Sequence, residues 1–131
     1  MGRELLKDSS GCVKHVDAKE SAVITAVLKD VDDVAINKAV LQSLTLTLVN
    51  AEDGTVLNGR DRQDILDTNN GSVTEDGVVT IKLQPADNAV CGANMNEIED
   101  HYATLRWTYA DTDADLMSGA HQWVIQVHAS P

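Results

Sequence analysis

The chain has 131 residues, of which 43% are hydrophobic and 24% are charged, so its length allows one core and its composition excludes a disordered chain. A formal charge of -11, from 21 acidic and 10 basic residues, repels a phosphate backbone, and nucleic acid is not expected as a partner. Aromatic residues make up 3% and phenylalanine is absent, so valine, leucine, isoleucine and alanine are expected to fill the core.

The amino-terminal residues give no sign of export or membrane attachment. The opening stretch, MGRELLKDSS, lacks the apolar segment of a signal peptide, and no apolar run in the chain reaches the length of a membrane span. Cys12 and Cys91 stand alone without CxxC spacing, which favours two reduced thiols. We therefore expect synthesis in the cytoplasm and no membrane partner.

Residues 1–20 are polar and include the stretch DSSG, with short apolar stretches only at Leu5–Leu6 and Val13–Val16. This composition predicts an extended N-terminal arm, followed by one domain over residues 21–131. An arm of this kind is expected to be removable without loss of the fold.

Residues 22–50 contain two strand signals. The run AVITAVL at 22–28 has the length of a strand buried on both sides or of a short helix, and its β-branched residues favour the strand. The stretch DVDDVAINKAV at 30–40 is compatible with a short helix or a long loop. In LQSLTLTLVN, at 41–50, leucines alternate strictly with serine and threonine, which predicts a strand with one buried face.

Turn signals containing glycine divide the middle of the chain. The first, Asp-Gly within 52–54, precedes TVLNG, which is expected to return as the second strand of a hairpin. An Asn-Asn-Gly turn and a second Asp-Gly turn precede a strand in which Val79, Ile81 and Leu83 share a face. The stretch QPADNAVCGANMNEIED then forms a long connection in which a helical turn is possible.

The last two predicted strands carry both tryptophans. In HYATLRWTY (101–109) and GAHQWVIQVHA (119–129), every second residue belongs to a set expected to point inward. These sets are Ala103, Leu105, Trp107 and Tyr109 on the first strand, and His121, Trp123, Ile125 and Val127 on the second. A long polar loop joins the two strands, and the tryptophans are expected to fill the core.

The sequence contains seven to eight strand signals, with turn signals at the spacing of an all-β sandwich. No stretch has the length and periodicity of a convincing amphipathic helix. The sequence therefore predicts an all-β fold, a single antiparallel β-sandwich with immunoglobulin-like Greek-key connections and an extended N-terminal arm.

No motif for catalysis stands out. The chain has no G-x-S-x-G elbow, Walker loop or G-x-G-x-x-G stretch. The carboxylate pairs Asp32–Asp33 and Glu99–Asp100 are adjacent in sequence, which on a strand directs their side chains to opposite faces. We expect neither an enzyme nor a cofactor.

Two histidines are the first candidates for a metal site. His101 and His121 would form a pair of ligands if the last hairpin placed them side by side, but no third ligand is evident. The favoured alternative is that both histidines belong to the structural framework at strand ends. The sequence thus predicts no metal site here.

Three aspartates form a second, weak candidate for a metal site. Asp111, Asp113 and Asp115 begin like a calcium loop, but Leu116 stands where that loop requires glycine and Gln122 where it requires glutamate. An EF-hand is therefore excluded. An irregular cation site and a solvated acidic hairpin tip remain as alternatives, and the tip is favoured.

The stretch NGRDRQD places Arg60 and Arg62 on either side of Asp61 in an otherwise acidic chain. Arginine is enriched in protein interfaces, so these three residues are a candidate contact patch. The favoured alternative is pairing with neighbouring carboxylates at the surface, which contributes little to stability.

The segment from about residue 40 to residue 128 resembles small immunoglobulin-like structural proteins of tailed bacteriophages, of the capsid decoration, neck or tail-adaptor type. The motifs that carry the resemblance are LTLTLVNAEDGTVLNGRD, VTIKLQPADN and HYATLRWTYAD with GAHQWVIQV. LQPADN before a strand with tyrosine is also similar to the E-to-F corner of immunoglobulin domains. The paired core cysteines of antibody domains are missing, which leaves a disulfide-free domain.

This resemblance implies a virion structural protein that is made in the host cytoplasm and binds neighbouring capsid, portal or tail subunits. Its role would be decoration, cement or adaptor, without catalysis, and a homo-oligomer in the particle is expected. The arm would hold neighbouring subunits. The candidate contact residues are Leu5, Leu6, Val13 and Val16 in the arm, and Arg60, Asp61 and Arg62 in the domain.

A ligand-binding β-sandwich is the alternative function. It would recognise a sugar or a cation through the loop at 110–120, using the acidic aspartates there. Exposed tryptophans at 107 and 123 would act as sugar platforms, whereas inward-facing tryptophans favour the structural role.

Overall fold

Strands dominate the residues that the computed structural model describes, which are 13–89 and 98–128. The eight strands are β1 Val13–Asp17, β2 Ala22–Val27, β3 Leu41–Asn50, β4 Gln63–Asp64, β5 Gly71–Val73, β6 Val78–Leu83, β7 Ile98–Ala110 and β8 Leu116–His128. Two short 3-10 turns span Lys38–Val40 and Pro85–Asn88. Neither turn, nor any other helix in the described ranges, has the length and apolar character needed to cross a membrane. The prediction of an all-β fold is confirmed.

The strands form two sheets. One has five strands in the order β1-β8-β7-β3-β4, and the other has three in the order β2-β6-β5. The β7–β8 hairpin is the longest pairing, running in continuous register from Ile98 opposite His128 to Ala110 opposite Leu116. Its connection covers only residues 111–115, so the prediction of a long loop in this hairpin is wrong.

Strand β1 lies inside the segment predicted to be a free arm. It pairs with β8 in parallel, with Val16 opposite Val127, and Val16 is buried in the core at 8% exposure. The prediction of purely antiparallel pairing is therefore wrong at β1, and so is the boundary of the arm at residue 20. Removing residues 1–20 would delete a sheet edge and a core side chain, so that cut is no longer expected to spare the fold.

The inner faces of the two sheets share one hydrophobic cluster. Leu44, Leu46 and Leu48 on β3 are fully buried, as are the inward residues of β6, which confirms the alternation predicted for both strands. Burial of each leucine side chain stabilises the fold by about 1.5–3 kcal/mol. Trp107 and Trp123 are exposed by only 6% and 4%, so the prediction that both tryptophans fill the core is also confirmed.

Strand β2 is confirmed as a strand but is buried on one face only. Ile24 points into the core, whereas Val23 and Val27 are 49% and 44% exposed. Burial on both sides was wrong because the outer face of β2, which includes Thr25, is open to solvent and no other described element covers it.

The segment at 30–40, for which helix and loop were both open, is mainly a loop. A single bridge joins Lys29 to Ala35, and Oδ1 of Asp30 accepts hydrogen bonds from the backbone N–H groups of Asp32 and Val34 at 2.9 and 3.0 Å. This side-chain capping replaces the hydrogen bonds that a helix would have supplied. Only one turn of 3-10 helix follows, before β3.

Candidate functional site

The two candidate histidines are held apart by the register of the last hairpin. His101 lies opposite Ile125, and His121 lies opposite Leu105. Four residues separate the two positions along the hairpin, which is roughly 13 Å at the rise of a strand. They cannot share a metal ion, so the alternative of framework histidines is the one that fits.

Each histidine has its own packing environment. His101 is fully buried, and its Nε2 lies 2.7 Å from Oε1 of Glu99, two residues earlier on the same face of β7. His121 packs edge-on against Trp123, with ring centroids 4.6 Å apart. Desolvation lowers the pKa of His121, because burial disfavours the charged imidazolium.

Arg60, a candidate contact residue, is turned into the protein and is only 2% exposed. Its Nε and Nη2 donate to the two carboxylate oxygens of Asp87 at 2.6 and 3.0 Å. Its remaining N–H groups reach Gln63 Oε1 at 2.8 Å, the Asn69 carbonyl at 3.1 Å and Asn70 Oδ1 at 2.9 Å. All five guanidinium donors are satisfied within the chain, so the interpretation of Arg60 as a surface contact is wrong.

The carboxylate of Asp87 completes this buried pair. It also accepts hydrogen bonds from Asn58 Nδ2 at 2.9 Å and from the backbone N–H of Gln84 at 2.7 Å. The pair therefore ties the loop after β3 to the 3-10 turn after β6. Its role is structural.

The structure places only some of the other predicted contact residues at the surface. Asp61 and Arg62 are exposed, in agreement with a surface position. Val16 belongs to the core, so its interpretation as a partner contact is wrong. Leu5 and Leu6, like Cys12 and Cys91, lie outside the described residues, and Val13 is described only as backbone of β1.

Arg62 shares a concave surface with Arg106, a residue for which the sequence predicted no role. The concavity has a volume of about 490 Å³ and lies on the outer side of the five-stranded sheet. Four hydroxyl side chains contribute to its lining, those of Ser43, Thr45, Thr108 and Ser118. We call these six residues the arginine face. The alternation of serine, threonine and arginine with apolar residues on β3 and β7 was the available sequence signal for it.

The three candidate metal ligands stand together at the turn between β7 and β8. One carboxylate oxygen from each of Asp111, Asp113 and Asp115 lies within 4.8 Å of the others. Oδ1 of Asp111 accepts hydrogen bonds from the backbone N–H groups of both other aspartates, each at 2.9 Å. We call these three residues the acidic tip. Exposed carboxylates held in this way fit a solvated hairpin tip, and they also offer oxygen atoms to a cation.

A groove with an acidic rim lies beside the acidic tip. Its volume is about 300 Å³, and it runs between the loop at 30–37 and the end of β7. The hydroxyl of Tyr109 accepts a hydrogen bond from the backbone N–H of Val31 at 3.1 Å and fixes the loop to the strand. Val31 is 69% exposed, while Asp30 and Asp32 line the rim. This surface suits an apolar chain segment that carries positive charge.

Comparisons with known proteins return no match, whether with family models, with curated proteins or with solved structures. A functional assignment therefore rests on the sequence motifs and on the geometry of the described residues.

Proposed function

We propose that the chain is a structural protein of a bacteriophage particle, an immunoglobulin-like β-sandwich that binds neighbouring capsid, head–tail or tail subunits without catalysis. The observation that carries the proposal is the placement of its polar side chains. Those in the interior, such as Arg60, Asp87 and His101, bond to other groups of the fold. Those at the surface form a charged face and a charged groove, which are features of contact surfaces.

The order of the strands supports an immunoglobulin-like Greek key. In such domains the strands B, E and D form one sheet, and G, F, C and C′ form the other. The present order places β2, β6 and β5 in the first sheet, and β8, β7, β3 and β4 in the second. The parallel strand β1 extends the second sheet beyond β8.

The groove beside Tyr109 supports contact with a partner of opposite charge. Its rim is acidic, its wall includes the exposed Val31, and the whole chain carries a charge of -11. A neighbouring virion subunit with a basic, partly apolar segment would fit it by charge and by apolar contact. In the proposed setting, the protein is made in the host cytoplasm and ends in the virion.

The arm provides the direct test of this function. Deleting residues 1–12, which leaves β1 in place, is expected to leave thermal unfolding of the domain unchanged and to abolish incorporation into particles, because the arm would hold neighbouring subunits. Incorporation is measured by mass spectrometry of purified particles assembled in cells that supply only the variant.

Two controls separate the arm's sequence from its length. Replacing residues 1–12 by a Gly/Ser-rich stretch of equal length should fail like the deletion, and so should a Leu5→Asp, Leu6→Asp variant. Normal incorporation of the deletion variant would contradict the proposal, and so would absence of the wild-type chain from particles.

Cation binding at the acidic tip is a second candidate function, favoured by the three carboxylate oxygens within 4.8 Å of one another. Sugar binding through the loop at 110–120 is not supported, because both tryptophans are buried. Calorimetric titration with calcium tests this second candidate. Binding that Asp113→Asn removes would favour the cation site over a purely structural tip.

A further inference from the structure

We infer that the arginine face binds the acidic tip of a second copy of this chain, so that copies associate head to tail. The inference deepens the proposed function, on which its place in a particle rests, by naming the surface through which copies meet. It commits to a second copy because the complementary charges are both present on this chain.

The two guanidinium groups of the arginine face have no partner among residues 13–89 and 98–128. Neither Arg62 nor Arg106 makes a side-chain hydrogen bond or ion pair with the described part of the chain, and the only polar contact of Arg62 is its backbone N–H to Thr47 Oγ1 at 3.0 Å. The nearby carboxylate of Asp64, opposite Thr45 in register, accepts a hydrogen bond from the backbone N–H of Leu66 at 3.0 Å. The chain has 21 acidic residues, but none of the described ones pairs with these two arginines. Together in one concavity, the arginines can bind carboxylates from another chain.

Small side chains create the space above this face. On β8 the lining consists of Ser118, Gly119 and Ala120, so β8 contributes no bulky side chain beside Arg106, which lies opposite Ala120. The hydroxyls of Ser43 and Thr108 are hydrogen-bonded to each other at 2.6 Å, which uses one of their two protons. The other hydroxyl proton and the guanidinium groups can donate to an inserted carboxylate. The arginine face therefore offers positive charge, hydrogen-bond donors and space for an inserted carboxylate.

The acidic tip has the matching properties. Asp113 and Asp115 are exposed at the end of the β7–β8 hairpin, and Asp111 is engaged with the backbone of the turn. These hydrogen bonds hold the tip in one shape before binding, which reduces the entropy lost on association. Arginine and carboxylate can then pair in the bidentate geometry that the guanidinium plane favours.

The tip cannot reach the face of its own chain. Arg106 lies on the same hairpin, four residues before Ala110 at the start of the turn, which is about 13 Å of strand. The hairpin is paired in continuous register over this distance, so it cannot fold back on itself. The contact must therefore join two chains, and because face and tip are different surfaces it is heterologous, closing a ring or extending a filament.

Repulsion between two copies with a charge of -11 opposes this contact. At physiological salt the screening length is about 8 Å, so the net charges act weakly while the groups in contact still attract. Exposed ion pairs contribute little individually, so association of the isolated protein is expected to be weak. Other contacts in a particle would raise the effective concentration of neighbouring copies.

The test exchanges the charges of the two surfaces. One variant carries Arg62→Glu and Arg106→Glu, and the other carries Asp113→Lys and Asp115→Lys. Sedimentation velocity at about 0.15 M salt, over concentrations up to the millimolar range, is expected to show a rise in average mass for the wild type. Each variant alone should stay monomeric, and their equimolar mixture should associate again, because opposite charges then meet at both types of contact.

A matched control separates this contact from net charge. Lys19→Glu with Lys82→Glu changes the charge of the chain as much as the arginine variant does, but at exposed positions that line neither the arginine face nor the groove beside the acidic tip, and it should associate like the wild type. Circular dichroism checks folding, and Arg62→Gln, Arg106→Gln and Asp113→Asn, Asp115→Asn serve if a charge-reversed chain unfolds.

Three outcomes would overturn the inference: a monomeric wild type at all concentrations, a mixture that does not associate, or a control that loses association equally. None of these outcomes changes the result expected from deleting residues 1–12. The inference about association and the proposed function can therefore be contradicted independently.

Discussion

Replacing Arg60 with methionine is expected to destabilise the domain by about 3–5 kcal/mol, the usual cost of removing one partner of a buried ion pair. Asp87 is fully buried and would face an apolar side chain in place of the guanidinium. Asn58 Nδ2 and the Gln84 N–H would still donate to it, but no positive charge would remain. The loop after β3 and the 3-10 turn after β6, which this pair joins, would lose their connection.

Chemical denaturation of the Arg60→Met variant, followed by tryptophan fluorescence, measures this loss. Arg62→Met is the matched control, because Arg62 is exposed and its guanidinium has no partner in the described chain. Its effect should stay within about 0.5 kcal/mol. Equal effects at the two positions would show that Arg60 is not held as the structure places it.

Replacing Gly119 with alanine is expected to cost about 1–3 kcal/mol, the range for adding a group to a well-packed interior. A Cβ at this position would lie 2.5 Å from Cε2 and 2.6 Å from Cζ2 of Trp107. Trp107 is only 6% exposed, so the indole cannot move outward without disturbing the core. The ring covers the glycine opposite it in register, an arrangement by which sheets fill the space left by a missing side chain.

Thermal or chemical denaturation of Gly119→Ala tests this packing. Ala120→Ser, one position further along β8 and exposed, is the control and should stay within about 0.5 kcal/mol. In a Trp107→Leu background the cost of Gly119→Ala should shrink, with a coupling of about 0.5–3 kcal/mol as for residues in contact. An unchanged cost in that background would mean that the indole does not lie against Gly119.

Local sequence patterns predict the strands whose alternation is strict. On β3 and β6 the apolar residues repeat every second position, so period alone identifies their inner faces. Strand β1 could not be predicted in this way. Val13 and Val16 are three residues apart, and parallel pairing with a distant strand has no local turn signal. The β7–β8 turn was predicted too long because Leu116 and Met117 interrupt the polar stretch without showing that the strand begins there.

The candidate surfaces also differ in how directly the sequence predicts them. The acidic tip is local in sequence, so its three aspartates could be recognised directly. The arginine face depends on pairing between β3 and β7, where Thr45 lies opposite Arg106. Arg60 and Arg62 look equivalent in the sequence, but Arg62 has a left-handed backbone with a φ of 51°, so the two side chains do not share a surface.

Tryptophan fluorescence of the native protein tests most directly whether the aromatic rings fill the space between the two sheets, on which the proposed function depends. We expect blue-shifted emission that acrylamide quenches weakly and that neither calcium nor sugars change, because Trp107 and Trp123 are almost fully buried. Emission typical of water-exposed tryptophan, or a clear change on adding a sugar, would place the rings in an open binding cleft and contradict the account.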